Sequence, residues 1–183
     1  MDAKEIRFGS FAWRVAAAHI VSYFIAGILA LAFMGYKERF SSGALASIMR
    51  GIDSPIVALG PLFQFVVGLA LAFILYPFKG TFLDSRMGWA RLILLIGGFT
   101  LFAPQVPGPG SFEGLVYMKL SIGEHLAGLP ETVAYTLLFC LGVFHWNRRP
   151  RKAWNAIAVV ALSIISIFSG LGLAASLGLL PGA

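Results

Sequence analysis

The chain has 183 residues, of which 58% are hydrophobic and 12% are charged. Soluble domains carry about 25% charged residues, so a soluble protein of this composition could not cover its surface with polar groups. The net charge of +6 would suit nucleic acid, but the basic residues stand in short runs between apolar segments, where they match a membrane surface better. The composition argues against a nucleic-acid partner and predicts a single all-α integral membrane domain.

The first apolar segment could be either a signal peptide or a retained helix. Lys4, Arg7 and Arg14 precede it, and Ala30-Leu31-Ala32 has the form of a cleavage site. However, Arg14 lies late for the charged region of a signal peptide, and the apolar run continues to Tyr36. We therefore expect a retained first helix.

Five apolar segments could span a membrane, which takes roughly 20 residues, with a range of about 17 to 25. The predicted spans are 13–36, 55–78, 88–103, 130–146 and 153–180. Ser54 and Pro55 suit the start of the second span, and Pro61 is expected to bend it. The third span is short. The fourth is predicted to begin at Pro130, with Glu131 near its positive N-terminal end.

The distribution of lysine and arginine predicts the orientation. With five spans, ten of the 14 basic residues fall on the side that holds the N-terminus. The positive-inside rule places that side in the cytoplasm and the C-terminus outside. Short inner loops and this charge bias suit a bacterial inner membrane.

The two outer loops are predicted to carry short interfacial helices. In the loop 37–54, a helix is expected from Ala44 to Arg50. In the loop 105–129, Pro107-Gly108-Pro109-Gly110 must turn, and apolar residues then recur at helical spacing from Phe112 to Leu120. Ser121 and Glu124 have capping-box spacing and are expected to start another short helix. This loop is apolar enough to lie on the bilayer or fold over the bundle.

Rows of small residues indicate close helix packing, because in lipid the close approach of backbones holds helices together. The rows are Ala18, Ser22, Ala26, Ala30; Gly60, Gln64, Gly68, Ala72; and Ser166, Gly170, Ala174, Gly178. They can pack within one monomer or form a contact with a second copy or a partner membrane protein, for which the last helix is the best candidate.

Polar residues at membrane depth are the first candidates for a ligand site. His19, Tyr23 and Gln64 lie in the first two spans, and Tyr117 lies in the second outer loop. They could form a pocket for a proton, an ion or a small ligand. The alternative is an interhelical hydrogen bond that fixes packing, which typically contributes only about 0.6 to 2 kcal/mol.

No cofactor or metal is predicted. His19 and His145 could in principle ligate a haem from two helices, but His145 stands beside Trp146 and Arg148 in an interfacial pattern, and no CxxCH motif exists. The single cysteine, Cys140, lies in an apolar run and is expected to pack in the core.

The outer loops hold the candidate acid–base residues. The catalytic candidates are Arg50, Asp53, Glu113, Glu124 and His125. A glutamate and a histidine could act as base and acid if they converge, but adjacent residues on a helix point roughly 100° apart. No HExxH, GxSxG or Walker pattern is present. The alternative is a solvated loop in which Glu124 caps a helix.

The basic run at the inner surface could hold anionic lipid head groups through Arg148, Arg149, Arg151 and Lys152. Its alternative role is to fix topology alone. Ser163, Ser166 and Ser169 in the last helix suggest a hydrophilic path, although serines can also return their hydroxyls to backbone carbonyls.

Three functions fit these patterns. The first is an accessory or structural subunit, or a binder of a lipid or small hydrophobic ligand; the packing rows and the lack of motifs favour it. The second is a small oligomeric transporter or channel. The third is a membrane-embedded enzyme whose site faces outward under the loop 105–129.

Overall fold

The computed structural model describes residues 6–43, 45–102 and 107–180, and this part of the chain is helical and contains no strand. The prediction of an all-α bundle is confirmed. The helices are α1 Phe8–Phe33, α2 Tyr36–Ser41, α3 Pro55–Ala58, α4 Gly60–Leu75, α5 Lys79–Leu83, α6 Gly88–Leu101, α7 Phe112–Tyr117, α8 Ile122–Arg148 and α9 Lys152–Ser176. A 3₁₀ turn, Tyr76–Phe78, joins α4 to α5.

Four helical segments are long and apolar enough to cross a membrane, which indicates a membrane protein. They are Phe8–Phe33, Gly60–Leu83, Ile122–Arg148 and Lys152–Ser176, with 24 to 27 residues each. At about 1.5 Å per residue, each exceeds the roughly 30 Å of a hydrocarbon core. The fifth predicted span is the shorter helix α6, whose 14 residues cover only about 21 Å.

Hydrogen bonds define the two ends of the bundle. At one end Tyr76 donates to the Ile6 carbonyl, and Arg14 donates to Asn147 at the end of α8. At the other end Arg39, which follows α1, donates to the Glu124 carbonyl at the start of α8. Helices α4 and α8 therefore run antiparallel to α1. We call the first end the basic end and the second the loop end.

Helix α6 lies between the two ends of the bundle. Ser85, just before α6, accepts a hydrogen bond from Arg148 at the basic end. Gly110, after α6, donates its N–H to His125 at the loop end. Helix α6 thus runs from the basic end to the loop end, but it is shorter than the four long apolar helices, so the predicted count of five spans is approximate.

Helix α8 begins at Ile122, eight residues before the predicted start at Pro130. The capping box forms as predicted: Ser121 Oγ accepts the Glu124 N–H, and the Glu124 carboxylate accepts the Ser121 N–H. The expectation that this box starts a separate short helix was wrong, because the helix continues through Pro130. Because a proline is common in the first turn of a helix, Pro130 was taken as the start of α8, and the predicted start was eight residues too late.

The other helix boundaries differ by smaller amounts. Helix α1 begins at Phe8 rather than at residue 13, since Phe11 and Ala12 are already buried. The bend expected at Pro61 is a break between α3 and α4 at Leu59, because a proline removes a helical hydrogen bond and crowds the preceding turn.

The first outer loop differs from its prediction. A helix forms over Tyr36–Ser41, and residues 45–48 form turns in place of the helix expected from Ala44 to Arg50; residue 44 is outside the described part. Gly35 has φ +58°, a left-handed conformation that lets the chain leave α1 sharply.

Helix α1 is central and packs against α4, α8 and α9. Its small-residue row is buried from Ala18 to Ala30. On α4, Gly68 approaches so closely that an added Cβ would lie 2.7 Å from the Ala16 Cα. These rows pack within the monomer. By contrast, Ser166 and Gly170 on α9 and Gly178 just after it are exposed.

Candidate ligand site

A histidine near the middle of the bundle joins three helices. Nε2 of His19 lies 2.9 Å from Oε1 of Gln64 on α4, and Nδ1 lies 2.7 Å from the hydroxyl of Tyr135 on α8. His19 is buried. We call these three residues the central triad.

The partners of His19 fix its hydrogen-bonding pattern. The Gln64 carbonyl oxygen can only accept, so Nε2 carries a proton and donates it. In the neutral ring Nδ1 then accepts the proton of the Tyr135 hydroxyl. One histidine thus uses both nitrogens to hold α1, α4 and α8 in register.

A carboxylate lies one turn from the triad, on the loop-end side. Glu131 precedes Tyr135 by four residues on α8, and its Oε2 accepts a hydrogen bond from the Tyr36 hydroxyl. Burial, followed by this hydrogen bond and the charge of Glu131, raises the pKa of Tyr36, while the charge of Arg39 opposes the rise. Tyr36 therefore stays a hydrogen-bond donor at ordinary pH.

A cavity of about 430 Å³ lies on the loop-end side of the bundle and is lined by Glu131; we call it the loop-end cavity. Its polar wall is made by Tyr23, Tyr36, Glu131 and Ser169. The rest of its wall is mainly apolar and comes from α1, α9 and the first outer loop; it includes Phe24, Ile28, Leu31, Phe40, Met49, Ile52 and Phe168.

A second cavity of about 300 Å³, the lateral cavity, lies on the other side of Tyr23 and Glu131. It reaches His19 and Tyr135 of the central triad, and Thr100 of α6 closes one side. Because Tyr23 and Glu131 line both cavities, polar side chains follow one another from the outer loop to the middle of the bundle.

Several polar groups at these cavities have unused hydrogen-bonding capacity. The Ser169 hydroxyl is buried and has no hydrogen-bond partner among the described residues. The Tyr23 hydroxyl and the second oxygen of Glu131 make no hydrogen bond within the same part of the chain. The buried Ser169 hydroxyl is costly to leave unpaired. Tyr23, which is 37% exposed, and the partly buried Glu131 add further polar groups, so this wall suits a bound polar atom.

The predicted ligand-binding residues fall into two groups. His19, Tyr23 and Gln64 come together around the lateral cavity and the triad. Tyr117 lies apart at the end of α7, where 72% of its surface is exposed.

The predicted catalytic candidates do not converge. Arg50 and Asp53 are exposed in the first outer loop. Glu124 serves the capping box of α8, and no hydrogen bond or ion pair of the described residues joins it to Glu113 or His125. These side chains therefore form no acid–base pair in this structure.

His125 holds the second outer loop in place. It is buried, and its Nδ1 accepts the Gly110 N–H at 3.1 Å. Ser111 tightens the same turn, since its hydroxyl accepts the Gly114 N–H and donates to the Gly108 carbonyl. His125 thus anchors the loop after α6 to the start of α8. Residues 105 and 106 of the predicted loop lie outside the described part, as does residue 103, the predicted end of the third span.

The two histidines considered for haem line different cavities. His19 is in the central triad with both nitrogens engaged, whereas His145 is exposed near the basic end. Within the described residues, no group of three or more histidine, cysteine or acidic side chains could hold a metal ion. Cys140 is buried.

The sequence interpretation missed Glu131, Tyr135 and Tyr36 as site residues, and it considered Ser169 only as part of a hydrophilic path along the last helix. Glu131 was assigned to a helix end because Pro130 was taken as the start of the helix. Once the capping box sets the start at Ile122, Glu131 lies more than two turns inside an apolar helix, and Tyr135 follows one turn later. That spacing is the signal that could have found both.

Comparison with known proteins gives no further guide. No protein-family model matches the chain, and no curated protein or solved structure matches it significantly.

Proposed function

We propose that this chain is a membrane-embedded binding protein for a small hydrophobic molecule with a polar end. The observation that carries the proposal is the convergence of Tyr23, Glu131 and Ser169, each with unused hydrogen-bonding capacity, on the otherwise apolar loop-end cavity. Ligand sites are commonly concave and mostly apolar, with a few polar groups that orient the ligand.

The polar wall suggests the chemistry of the ligand. A carboxylate accepts hydrogen bonds, and the tyrosine and serine hydroxyls can both donate and accept. A hydroxyl group satisfies this set, because it can donate to Glu131 and accept from Tyr23 or Ser169. We therefore infer an uncharged amphiphile that carries a hydroxyl, with its apolar part against Phe24, Phe168 and their neighbours.

The cavity position suggests access from the bilayer. The first outer loop covers it through Phe40, Met49 and Ile52. Its side wall is formed where Phe24 of α1 stacks on Phe168 of α9, with ring centroids 6.5 Å apart. A ligand dissolved in lipid can approach between these two helices.

The other two functions have less support. The enzyme hypothesis has less support because the candidate acid–base side chains do not form a pair. For a transporter, Gln64 is engaged by His19, Ser163 is exposed on α9, and Ser166 lines a small, mainly apolar pocket of about 210 Å³. A contact with a second copy or a partner membrane protein through the exposed small residues of α9 stays a prediction.

The proposal includes an orientation. The basic end would face the cytoplasm of a bacterial inner membrane, and the loop end with its cavity would face outward, as the lysine and arginine bias suggests.

A matched pair of probes tests the binding function. Purified protein in detergent is heated with 1-dodecanol or with dodecane, which lacks the hydroxyl. We expect dodecanol to raise the Tm more than dodecane, because a ligand that binds only the folded state stabilises it. Glu131→Gln and Ser169→Ala should reduce the difference. Equal shifts with the two probes in the native protein would contradict the proposal.

A variant that fills the loop-end cavity tests whether binding occurs there. Gly27 lines the loop-end cavity and has open space around its Cβ position, so Gly27→Phe should fill the cavity and abolish the dodecanol shift. Gly170→Phe, on the exposed face of α9, adds the same side chain elsewhere and should leave the shift intact. Retention of the shift in Gly27→Phe would place binding outside this cavity.

A further inference from the structure

A large cleft at the basic end is independent of the ligand site. It has a volume of about 800 Å³ and lies between the end of α8 and the turn that leads into α6. Arg86 and Trp89 form one side, and His145, Arg148 and Arg149 form the other. None of the described residues that line it is acidic.

The three arginines are arranged to receive an anion. Arg148 is held in place, because it donates to the Ser85 carbonyl at 3.3 Å and its guanidinium lies 5.1 Å from the centre of the Phe144 ring. Arg86 and Arg149 make no side-chain hydrogen bond or ion pair with any described residue. Their planar guanidinium groups match the geometry of phosphate oxygens.

An apolar groove adjoins this basic cleft. The groove has a volume of about 410 Å³ and lies between α1, α8 and α9. Its wall includes Val21, Ile25 and Leu138. Leu141 and His145 line both the groove and the cleft, so a polar compartment and an apolar one meet across a single turn of α8.

We propose that an anionic phospholipid binds here, with its phosphate among Arg86, Arg148 and Arg149 and one acyl chain passing Leu141 into the groove. A free phosphate would use the cleft alone, whereas the adjoining groove fits a hydrocarbon chain. Trp89 lies where an aromatic ring suits the level of the head groups. Arg151 and Lys152, two of the four residues predicted to bind head groups, do not line the cleft.

The test compares two variants that lose the same charge. Arg86→Gln/Arg149→Gln removes two charges from the cleft, and Arg151→Gln/Lys152→Gln removes two charges beside it. Protein in nanodiscs of phosphatidylcholine with a small fraction of phosphatidylglycerol is released and analysed by native mass spectrometry. We expect the cleft variant to lose retained phosphatidylglycerol on the order of 30-fold and the control to retain it.

Three outcomes would overturn the proposal. An equal loss in both variants would show general attraction to the basic surface. Competition by millimolar inorganic phosphate as effective as that by phosphatidylglycerol would assign the cleft to the free ion. The third outcome concerns the groove: Ala161→Phe should fill it and weaken lipid retention, whereas Ala156→Phe, exposed on the same helix, should not. Unchanged retention in Ala161→Phe would exclude the acyl-chain contact. Circular dichroism checks that every variant is folded.

Discussion

The Tyr135 hydroxyl donates to Nδ1 of His19 across 2.7 Å, and it leaves Nε2 of the same ring to donate to Gln64. This relationship ties the fourth membrane-spanning segment in the predicted order to the first two. Because each nitrogen has one partner, the loss of either partner leaves a buried polar atom unsatisfied.

Removing the Tyr135 hydroxyl tests this arrangement. Tyr135→Phe should lower the free energy of unfolding by about 0.6 to 2 kcal/mol, the range for interhelical hydrogen bonds in membranes. Tyr117→Phe makes the same chemical change at an exposed residue whose hydroxyl has no hydrogen-bond partner among the described residues, and it should have little effect. Denaturation in mixed micelles measures both, and equal stability of the two variants would show that the triad contributes nothing.

The close approach of α1 and α4 predicts that Gly68 cannot be replaced by alanine without cost, and Gly170 on α9 provides a control. Gly68→Ala places a Cβ 2.7 Å from the Ala16 Cα and must push the helices apart, which should cost about 1 to 3 kcal/mol. Gly170→Ala meets nothing within 4 Å, so it should be neutral or stabilise its helix by about 0.5 to 1 kcal/mol. Thermal unfolding of both variants checks the opposite signs. A stabilised Gly68→Ala variant would refute the packing.

The raised pKa of Tyr36 predicts how stability changes in alkali. The ordinary pKa of a tyrosine hydroxyl is 10.0. Above pH 10 the Tyr36 hydroxyl ionises in the unfolded chain. In the folded protein it stays neutral, because burial and the neighbouring Glu131 carboxylate raise its pKa. The contribution of the Tyr36 hydroxyl to the free energy of unfolding is therefore fully present below about pH 10 and is lost as the pH rises further. The free energy of unfolding should fall less steeply between about pH 10 and 11 in Tyr36→Phe than in the native protein.

The matched control for Tyr36 is Tyr117→Phe, since Tyr117 is exposed. It should follow the native pH profile. If Tyr36→Phe and the native protein lose stability in parallel, Tyr36 is not the group responsible.

The anchoring role of His125 predicts a local effect. His125→Phe keeps a ring at this buried position but removes the acceptor of the Gly110 N–H. The Gly110 N–H is partly buried, so its loss of an acceptor should cost up to about 1 to 3 kcal/mol, and amide exchange around Ser111 and Gly114 should accelerate. Glu113→Gln, in the same segment, should leave the exchange unchanged. Acceleration in both variants would mean that the loop is held by other contacts.

The proposed orientation can be tested by cysteine labelling in a Cys140→Ala background. Tyr117 is exposed at the loop end and Arg151 is exposed at the basic end. Tyr117→Cys should react with an impermeant maleimide added to whole cells, and Arg151→Cys should react only after permeabilisation. The reverse pattern would invert the orientation.

The sequence alone predicted the features that depend on local chemistry. Apolar runs interrupted by proline and basic residues predicted the all-α bundle and its four long apolar helices. Ser121 and Glu124 predicted a helix start, because a capping box needs only two residues three positions apart along the chain. His19, Tyr23 and Gln64 were selected because polar groups in apolar segments are rare.

The tertiary structure alone decided which of those groups meet. The contact of Glu131 with Tyr36, separated by 95 residues, and that of His19 with Tyr135, separated by 116, depend on how each helix is rotated about its axis. Close packing between Gly68 and Ala16 helps to set that rotation. The same physics separated Glu113, Glu124 and His125: neighbours on one helix point in different directions, while residues on different helices converge only where small side chains allow the backbones to approach.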